Sequence, residues 1–596
     1  MNPNCFVLAA LVAVSFFPLA KPVAAADTPG QQLARLFDDS WEFALREDPL
    51  FATNIGDARY NDKLPRETVA DQKRRLAADR EFLARLEKIP RDPLSPAEQL
   101  NYDIFARIKH NAIDEAQFQA YLMPITNRSG FHISFPELPL EVPLAHTHDY
   151  ENYIARLGAF SQYVDDHIEL LRAGIKQGLT LPSIVMVDFD KAITPHIVDD
   201  PATSLLYKPF TKFPDAVDAA DQPQLIEAGR QAIAKSVVPG YRKLLKFLGD
   251  EYVPACRQQI GASVLPRGRE FYRHRVHQFT TLDIDPQQVH DLGQSEVLRI
   301  KNEMQAIIKD VGFQGDFGAF VEYLRNNPKF YADTPDQLLK ETSLVLKRMD
   351  GELPKLFKTL PRTPYGMREV PDFIAPRTTT AYYQPPAGDG SRAGFYYVNT
   401  YNLKSRPLYE IEALSLHEAV PGHHLQIAIA QELPDVPNFR RFAGFTAFVE
   451  GWGLYAERLG LEVGFYQDPY RNFGRLSYEM WRACRLVVDT GMHYLGWTRE
   501  QAISFMSDNT ALSIHNITAE VDRYIAWPGQ ALAYKMGELK LRELRQLAEE
   551  RLGEQFDVRE FHDVVLASGA IPLSVLETNV RTWIDSQPAE TANAEQ

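Results

Sequence analysis

Three of the chain's fifteen histidines fall within eight positions. The stretch "LSLHEAVPGHHLQIAIAQEL", Leu414 to Leu433, carries His417, Glu418, His423 and His424 on what otherwise reads as one helix. Zinc takes about four ligands in a tetrahedron, and a hydrolytic site keeps one position for water. Two histidines four apart on a helix lie about 40° apart and can face one metal. A glutamate beside the first is then placed to take the water's proton. Here Pro421 stands where the second histidine would be. His423 is six residues from His417, a turn of about 240° on a regular helix, and His424 is seven away, about 10 Å along the axis. Neither spacing holds a metal on an ideal helix. Pro421, however, has no amide hydrogen for the carbonyl of His417, and Gly422 follows it. The pair can loop out and let the helix resume with His423 near the fourth-on position. His423 is therefore read as the ligand, with His424 as the alternative.

A third protein donor is needed. "FTAFVEGWGLYAERLG" supplies Glu450 among Phe448, Val449 and Trp452, an apolar setting in which an unpaired carboxylate is costly. Glu457, seven residues on and on the same helical face, reads as a residue that orients a ligand histidine. Taken alone, Glu450 is an ordinary helix glutamate; the histidine cluster upstream is what argues for the metal. "DRYIAWPGQALAYK" adds Arg523, Tyr524, Tyr534 and Lys535 around a Pro-Gly break. A tyrosine hydroxyl can donate to a developing oxyanion, and arginine binds a planar carboxylate as a fork. Tyr534 is assigned to the oxyanion, with Tyr524 as the alternative, and Arg523 to a substrate's C-terminal carboxylate. The plainer reading is a helix pair with surface charges and two core tyrosines.

The elements that must position these residues read as mostly helical. Asp285-Pro286 opens a helix whose Val297, Ile300, Met304, Ile307 and Val311 recur at three- and four-residue steps before Gly312 ends it. Thr334-Pro335 opens another. "GQALAYKMGELKLRELRQLAEERLG" reads as a long helix closed by Gly553. The strongest strand signal is "GFYYVNTYNL", Gly394 to Leu403, after the turn-rich "PPAGDGSRAG". Proline-rich stretches near 122–145 and 180–214 read as loops over a helical body.

The chain has 596 residues and a net charge of -15, which disfavours nucleic acid, whose phosphates need a basic face. "CFVLAALVAVSFFPLA" followed by Ala24-Ala25-Ala26 reads as a signal peptide cleaved after Ala26, although "MNPN" carries no basic residue. The alternative is an N-terminal anchor. Cys5 precedes the apolar run, the wrong side for a lipoprotein site. No later segment has the roughly 20 apolar residues of a membrane span, so the mature chain is expected to be exported, periplasmic or secreted, without stable membrane insertion. Cys256 and Cys484 remain after cleavage and could pair in an oxidising compartment. The tail, 586–596, reads as disordered.

"HEAVPGHHLQ", "FVEGWGLYAE" and "RYIAWPGQALAYKMGELKLRELR" together resemble the bacterial family filed as domain of unknown function 885. The likeness runs over nearly the whole mature chain. That family is similar to zinc metallopeptidases of the glutamate-zincin type. The resemblance implies a mainly α fold of many helices, with a small β-sheet beside the metal helix and a deep channel. Residues 27–390 would form part of the channel and 391–585 the catalytic region. It implies His417, His423 and Glu450 as metal ligands and Glu418 as general base. It also implies that "YYVNT" is an edge strand laid against a peptide backbone, with Asn399 near the site.

These readings converge on a Zn2+-dependent hydrolase of short peptides, carboxypeptidase- or oligopeptidase-like. Two alternatives stand beside it. One is a zinc amidase or esterase with the same metal, water and base. The other is a binding protein that retains metal without catalysis, although binding alone does not call for Glu418.

Overall fold

The computed structural model of the chain describes residues 27–126, 129–372, 374–377, 379–388, 390 and 392–587. The expected export segment lies outside the described residues. Of the expected tail, only Ser586 and Gln587 are described, and Ser586 closes the helix Leu573–Ser586.

The fold is mainly helical with one small sheet among the described residues. Helix α1 (Pro286–Asp310) starts at an Asp285–Gln288 capping box with proline at its first turn, and buries Val297, Ile300, Met304 and Ile307. Helix α2 (Pro335–Leu356) is capped by the Thr334 side chain, which accepts from the Gln337 amide, again with proline at its first turn. The metal-helix region divides into α3 (Ile411–Glu418) and α4 (His423–Glu432). Then follow α5 (Thr446–Leu459), α6 (Pro469–Thr490), α7 (Ile514–Ala526) and α8 (Ala533–Leu552). Gly553, at φ 52°, closes α8 as its sequence position implies.

Two helix pairs build the frame of the site. α1 lies along α6, and α5 lies along α8. In the second pair the backbones touch: a Cβ added at Gly451 would stand 2.5 Å from the Cα of Gly537. One apolar cluster packs Leu416, Trp452, Tyr396 and Leu541 around α3, α5, α8 and the sheet. A second surrounds α1 and α6. Both draw residues from before and after position 390.

The sheet corrects one expectation. Its strands are β1 (Tyr365–Glu369), β2 (Ala381–Gln384) and β3 (Gly394–Val398), in the order β1-β3-β2. β3 is the central strand, parallel to β1 and antiparallel to β2. Its backbone groups are committed on both sides, so it is not the edge strand that a peptide could join. The proline-rich stretches are also more ordered than bare loops. Residues 183–211 run through successive 3-10 turns, from Ser183–Met186 to Leu205–Thr211, which proline's fixed φ favours. Cys256 and Cys484 are buried and free, so they form no disulfide.

Candidate metal centre

The Pro-Gly insertion loops out. α3 ends at Glu418, residues 419–422 form a turn, and α4 begins at His423. Trp452 on α5 pins the turn by donating Nε1–H to the Pro421 carbonyl at 2.8 Å. Gly422 is forced by the tightness of the fold-back, since a Cβ there would lie 1.9 Å from the His417 carbonyl oxygen. The result brings the His417 and His423 rings to 4.6 Å between centroids, nearly perpendicular at 84°.

Glu450 completes the set. Its Oε2 is 3.6 Å from His417 Nε2 and 3.6 Å from His423 Nε2. The three donor atoms lie within 4.8 Å of one another. Zinc–ligand bonds of about 2.0–2.2 Å set tetrahedral donors roughly 3.3–3.6 Å apart, so the His2Glu set fits the ion in chemistry and in spacing. Electrostatics point the same way. Burial works against a charge on His417, but Glu450 and Glu457 push its imidazole up to about 9. Burial likewise opposes charge on Glu450, yet His417, His423 and Arg485 hold its carboxyl down at about 2. Anionic oxygen is thus stabilised where a cation would sit.

Glu457 stands behind His417. It is buried, and its Oε1 accepts from His417 Nδ1 at 2.8 Å, leaving Nε2 for the centre. Between Glu450 and Glu457 on the same face of α5 stands Gly453, whose missing side chain makes room for the ring. A Cβ there would meet His417 Cε1 at 2.7 Å. His424, the alternative ligand, points elsewhere. Its Nδ1 meets the Tyr383 hydroxyl at 2.8 Å, and its Nε2 donates to the Thr363 carbonyl at 3.1 Å. Both ring nitrogens are spent on the sheet side, so His423 is the histidine that faces Glu450.

Glu418 is half-buried beside the centre. Burial pushes its carboxyl up to about 7, opposed by His417 and assisted by Glu450. Tyr396 of β3 lies close enough for Glu418 to raise its phenol further above the ordinary range, after burial itself.

The residues assigned to substrate divide. Tyr534 is half-buried and is brought within electrostatic reach of Glu450, which with burial raises its phenol. Arg523 is already held: Nε and Nη2 bond Glu520 at 3.2 and 2.9 Å, and Nη1 donates to Gln530 at 2.8 Å. Tyr524 is buried, and its hydroxyl accepts from Trp481 at 2.9 Å and Arg485 at 3.0 Å, so it is a packing residue rather than a second oxyanion donor. Asn399 is fully buried. Its side-chain amide donates to the Ala375 and Thr379 carbonyls, and its oxygen accepts from the Tyr401 amide. It staples the loop after β3 and does not face a substrate. Lys535 is also fully buried, bonded to Glu479 at 2.8 Å and Glu538 at 2.9 Å, with Glu296 at 3.0 Å.

Sequence reasoning missed what α6 contributes. Arg482 lies 3.7 Å from Glu457, and its charge also reaches Glu418 and His423. Arg485 lies over the Tyr534 ring at 4.4 Å. The signal was present in "MWRACRLVV", where Arg482 and Arg485 interrupt an otherwise apolar or aromatic run. An apolar cavity of 460 Å³, lined by Leu140, Leu144, Tyr150 and Phe213 among others, shares no residue with this centre.

A mainly helical fold with a His2Glu cluster, backed by a carboxylate on one histidine, defines the class of molecule. The chain belongs to the family described as "Bacterial protein of unknown function (DUF885)", which matches residues 49–580. Two solved structures are similar to it. One is described as the "putative lipoprotein from Colwellia psychrerythraea", at 29% identity and TM-score 0.90, covering 94% of this chain and 100% of that one. The other is "a putative lipoprotein of unknown function from Shewanella oneidensis", at 17% identity and TM-score 0.67, covering 93% and 99%. The second likeness speaks to the fold alone. No curated protein matches the chain. Among the described residues, no helix is long and apolar enough to cross a membrane.

Proposed function

We propose that this chain is an exported, zinc-dependent metallopeptidase of the glutamate-zincin type, acting on short peptides bound in a deep channel. The observation that carries the reading is the convergence of His417, His423 and Glu450 on one point, with Glu418 beside it and Glu457 behind His417. Export draws support from the similar protein of Colwellia psychrerythraea, described as a putative lipoprotein.

His417, His423 and Glu450 would hold the ion. Zinc bound there supplies Lewis acidity for a carbonyl and lowers the pKa of water toward about 7. Glu418 accepts the proton of the attacking water and delivers it to the leaving amine. Burial raises the Glu418 carboxyl, which favours its taking up that proton. Tyr534 donates its hydroxyl to the oxyanion that forms as the carbonyl becomes tetrahedral. Glu457 keeps His417 in the tautomer whose Nε2 faces the ion.

The test pairs metal analysis with digestion of a peptide library, with and without chelator. The wild type should contain one zinc and lose cleavage when chelated. Glu418→Gln should keep the zinc and cleave at least about 10²-fold more slowly. Undiminished cleavage by that variant contradicts the mechanism, and cleavage of esters without any cleavage of peptides contradicts the substrate class.

A further inference from the structure

Arg485 is a buried cation with a hydrogen-bond donor to spare. It is 3% exposed. Its Nε donates to the Tyr524 hydroxyl at 3.0 Å, and its Nη2 faces Glu520 Oε2 at 3.4 Å. Its Nη1 is buried with no protein acceptor among the described residues. Buried donors are almost always paired, because an unpaired one forfeits its hydration without replacement.

The local charge is also incomplete. Arg485 and Arg523 share the single carboxylate of Glu520. Asp489, one turn further along α6, acts on Arg523, but it is occupied by bonds from the Tyr272 hydroxyl at 2.7 Å and the Gly529 amide at 3.0 Å. Glu450 feels the field of Arg485; with a metal bound, its charge is committed to the ion. Two guanidinium groups therefore face one free carboxylate, and buried charge of one sign calls for a counter-ion.

The missing anion has a shape. The Arg485 guanidinium lies 4.4 Å from the ring centre of Trp481 and 4.4 Å from that of Tyr534. A guanidinium beside two aromatic rings, with Nη1 as its one free donor, suits a single oxygen of a carboxylate. Tyr534 is also the hydroxyl assigned above to the oxyanion. In a peptide's last residue only the amide nitrogen and one α-carbon separate the scissile carbonyl from the free carboxylate. One substrate end can therefore reach both groups.

We infer that Arg485, not Arg523, receives the free C-terminal carboxylate of the peptide, which makes the chain a carboxypeptidase that removes residues from that end. This rests on the peptidase reading above, and it is tested by binding rather than turnover.

Zinc-loaded Glu418→Gln protein is titrated calorimetrically with a set of N-acetyl dipeptides as free acids and as C-terminal amides. One charge-assisted contact of this kind predicts a preference of about 10- to 100-fold for the acids. Adding Arg485→Gln should bring the ratio close to one, while Arg485→Lys should give an intermediate ratio with zinc content unchanged. If Arg485→Gln fails to fold, the lysine variant decides alone, and a ratio equal to the parent's overturns the assignment. Equal affinity of acids and amides in the parent, or no detectable binding of either, also overturns it. A protein that keeps the acid preference yet cleaves no peptide would defeat the peptidase reading and leave the role of Arg485 standing.

Discussion

Helix α6 carries two buried charged clusters that differ in one respect: whether their donors are used up. Around Glu479, the Lys535 ammonium meets Glu296, Glu479 and Glu538, an acceptor for each of its protons. Arg299 bonds Glu296, Glu303 and Glu479, and Arg475 bonds Glu479. Two turns along the same helix, Arg485 keeps Nη1 without a protein acceptor, and Arg482 keeps Nε in the same condition. Both clusters are inside the protein and both are rich in basic residues. The first ties α1, α6 and α8 together and has nothing left to offer. The second adjoins Tyr534 and the metal centre and has open valence. Charge and burial do not separate scaffold from site here; saturation does.

The largest effect expected from this contrast is on stability. Lys535→Met leaves the buried Glu479 and Glu538 and the half-buried Glu296 short of a partner, and breaking such a pair costs about 3–5 kcal/mol. Arg485→Gln should cost less, about 1–2 kcal/mol, because Arg523 still holds Glu520. Urea midpoints at unchanged slope measure both, and equal losses would erase the distinction. Next comes metal affinity. Glu457→Gln removes the carboxylate behind His417 and should weaken zinc binding about 10- to 100-fold, read by competition with a chromogenic chelator. Unchanged affinity would mean that the buried carboxylate serves packing alone.

Counted per pH unit, the smallest expected effect is a pH dependence of the fold on α6 itself. Burial pushes the Asp489 carboxyl up to about 7, against the bonds from Tyr272 and Gly529 and the charges of Arg523 and Arg275. A carboxyl raised in the fold contributes stability that is complete below its unfolded value near 3.8 and is lost as pH rises through 7. Stability should therefore fall between pH 4 and 7, by at most about 1.4 kcal/mol per unit from this group. Asp489→Asn should flatten that decline; an unchanged slope would show that Asp489 is ionised throughout.

The same distinction explains what could be read from the sequence. The gathering of His417, His423 and Glu450, with Glu418 and Glu457 beside them, was legible because those residue types recur at helical spacing on neighbouring segments, and the Pro-Gly pair announced its own loop. The capped helices at Pro286 and Pro335 were legible for the local reason that Asp and Thr before proline start helices. Arg523 and Asn399 are expected to meet substrate, and Lys535 stands unassigned beside them, because nothing in a one-dimensional stretch tells whether a polar group is already satisfied. Lys535 is neutralised in part by Glu296, more than two hundred residues away, and Asn399 by carbonyls of a loop that precedes its own strand. The central place of β3 was hidden in the same way, because β1 and β2 are short and lie among turn residues.

The central claim is that His417, His423 and Glu450 hold one zinc ion, and crystals of zinc-loaded protein measured on both sides of the zinc absorption edge test it directly. The account predicts a single anomalous peak about 2.0–2.2 Å from His417 Nε2, His423 Nε2 and a Glu450 oxygen, with the His424 ring still bonded to Tyr383 and Thr363. A peak on His424, or no peak between the three donors at saturating zinc, would contradict it.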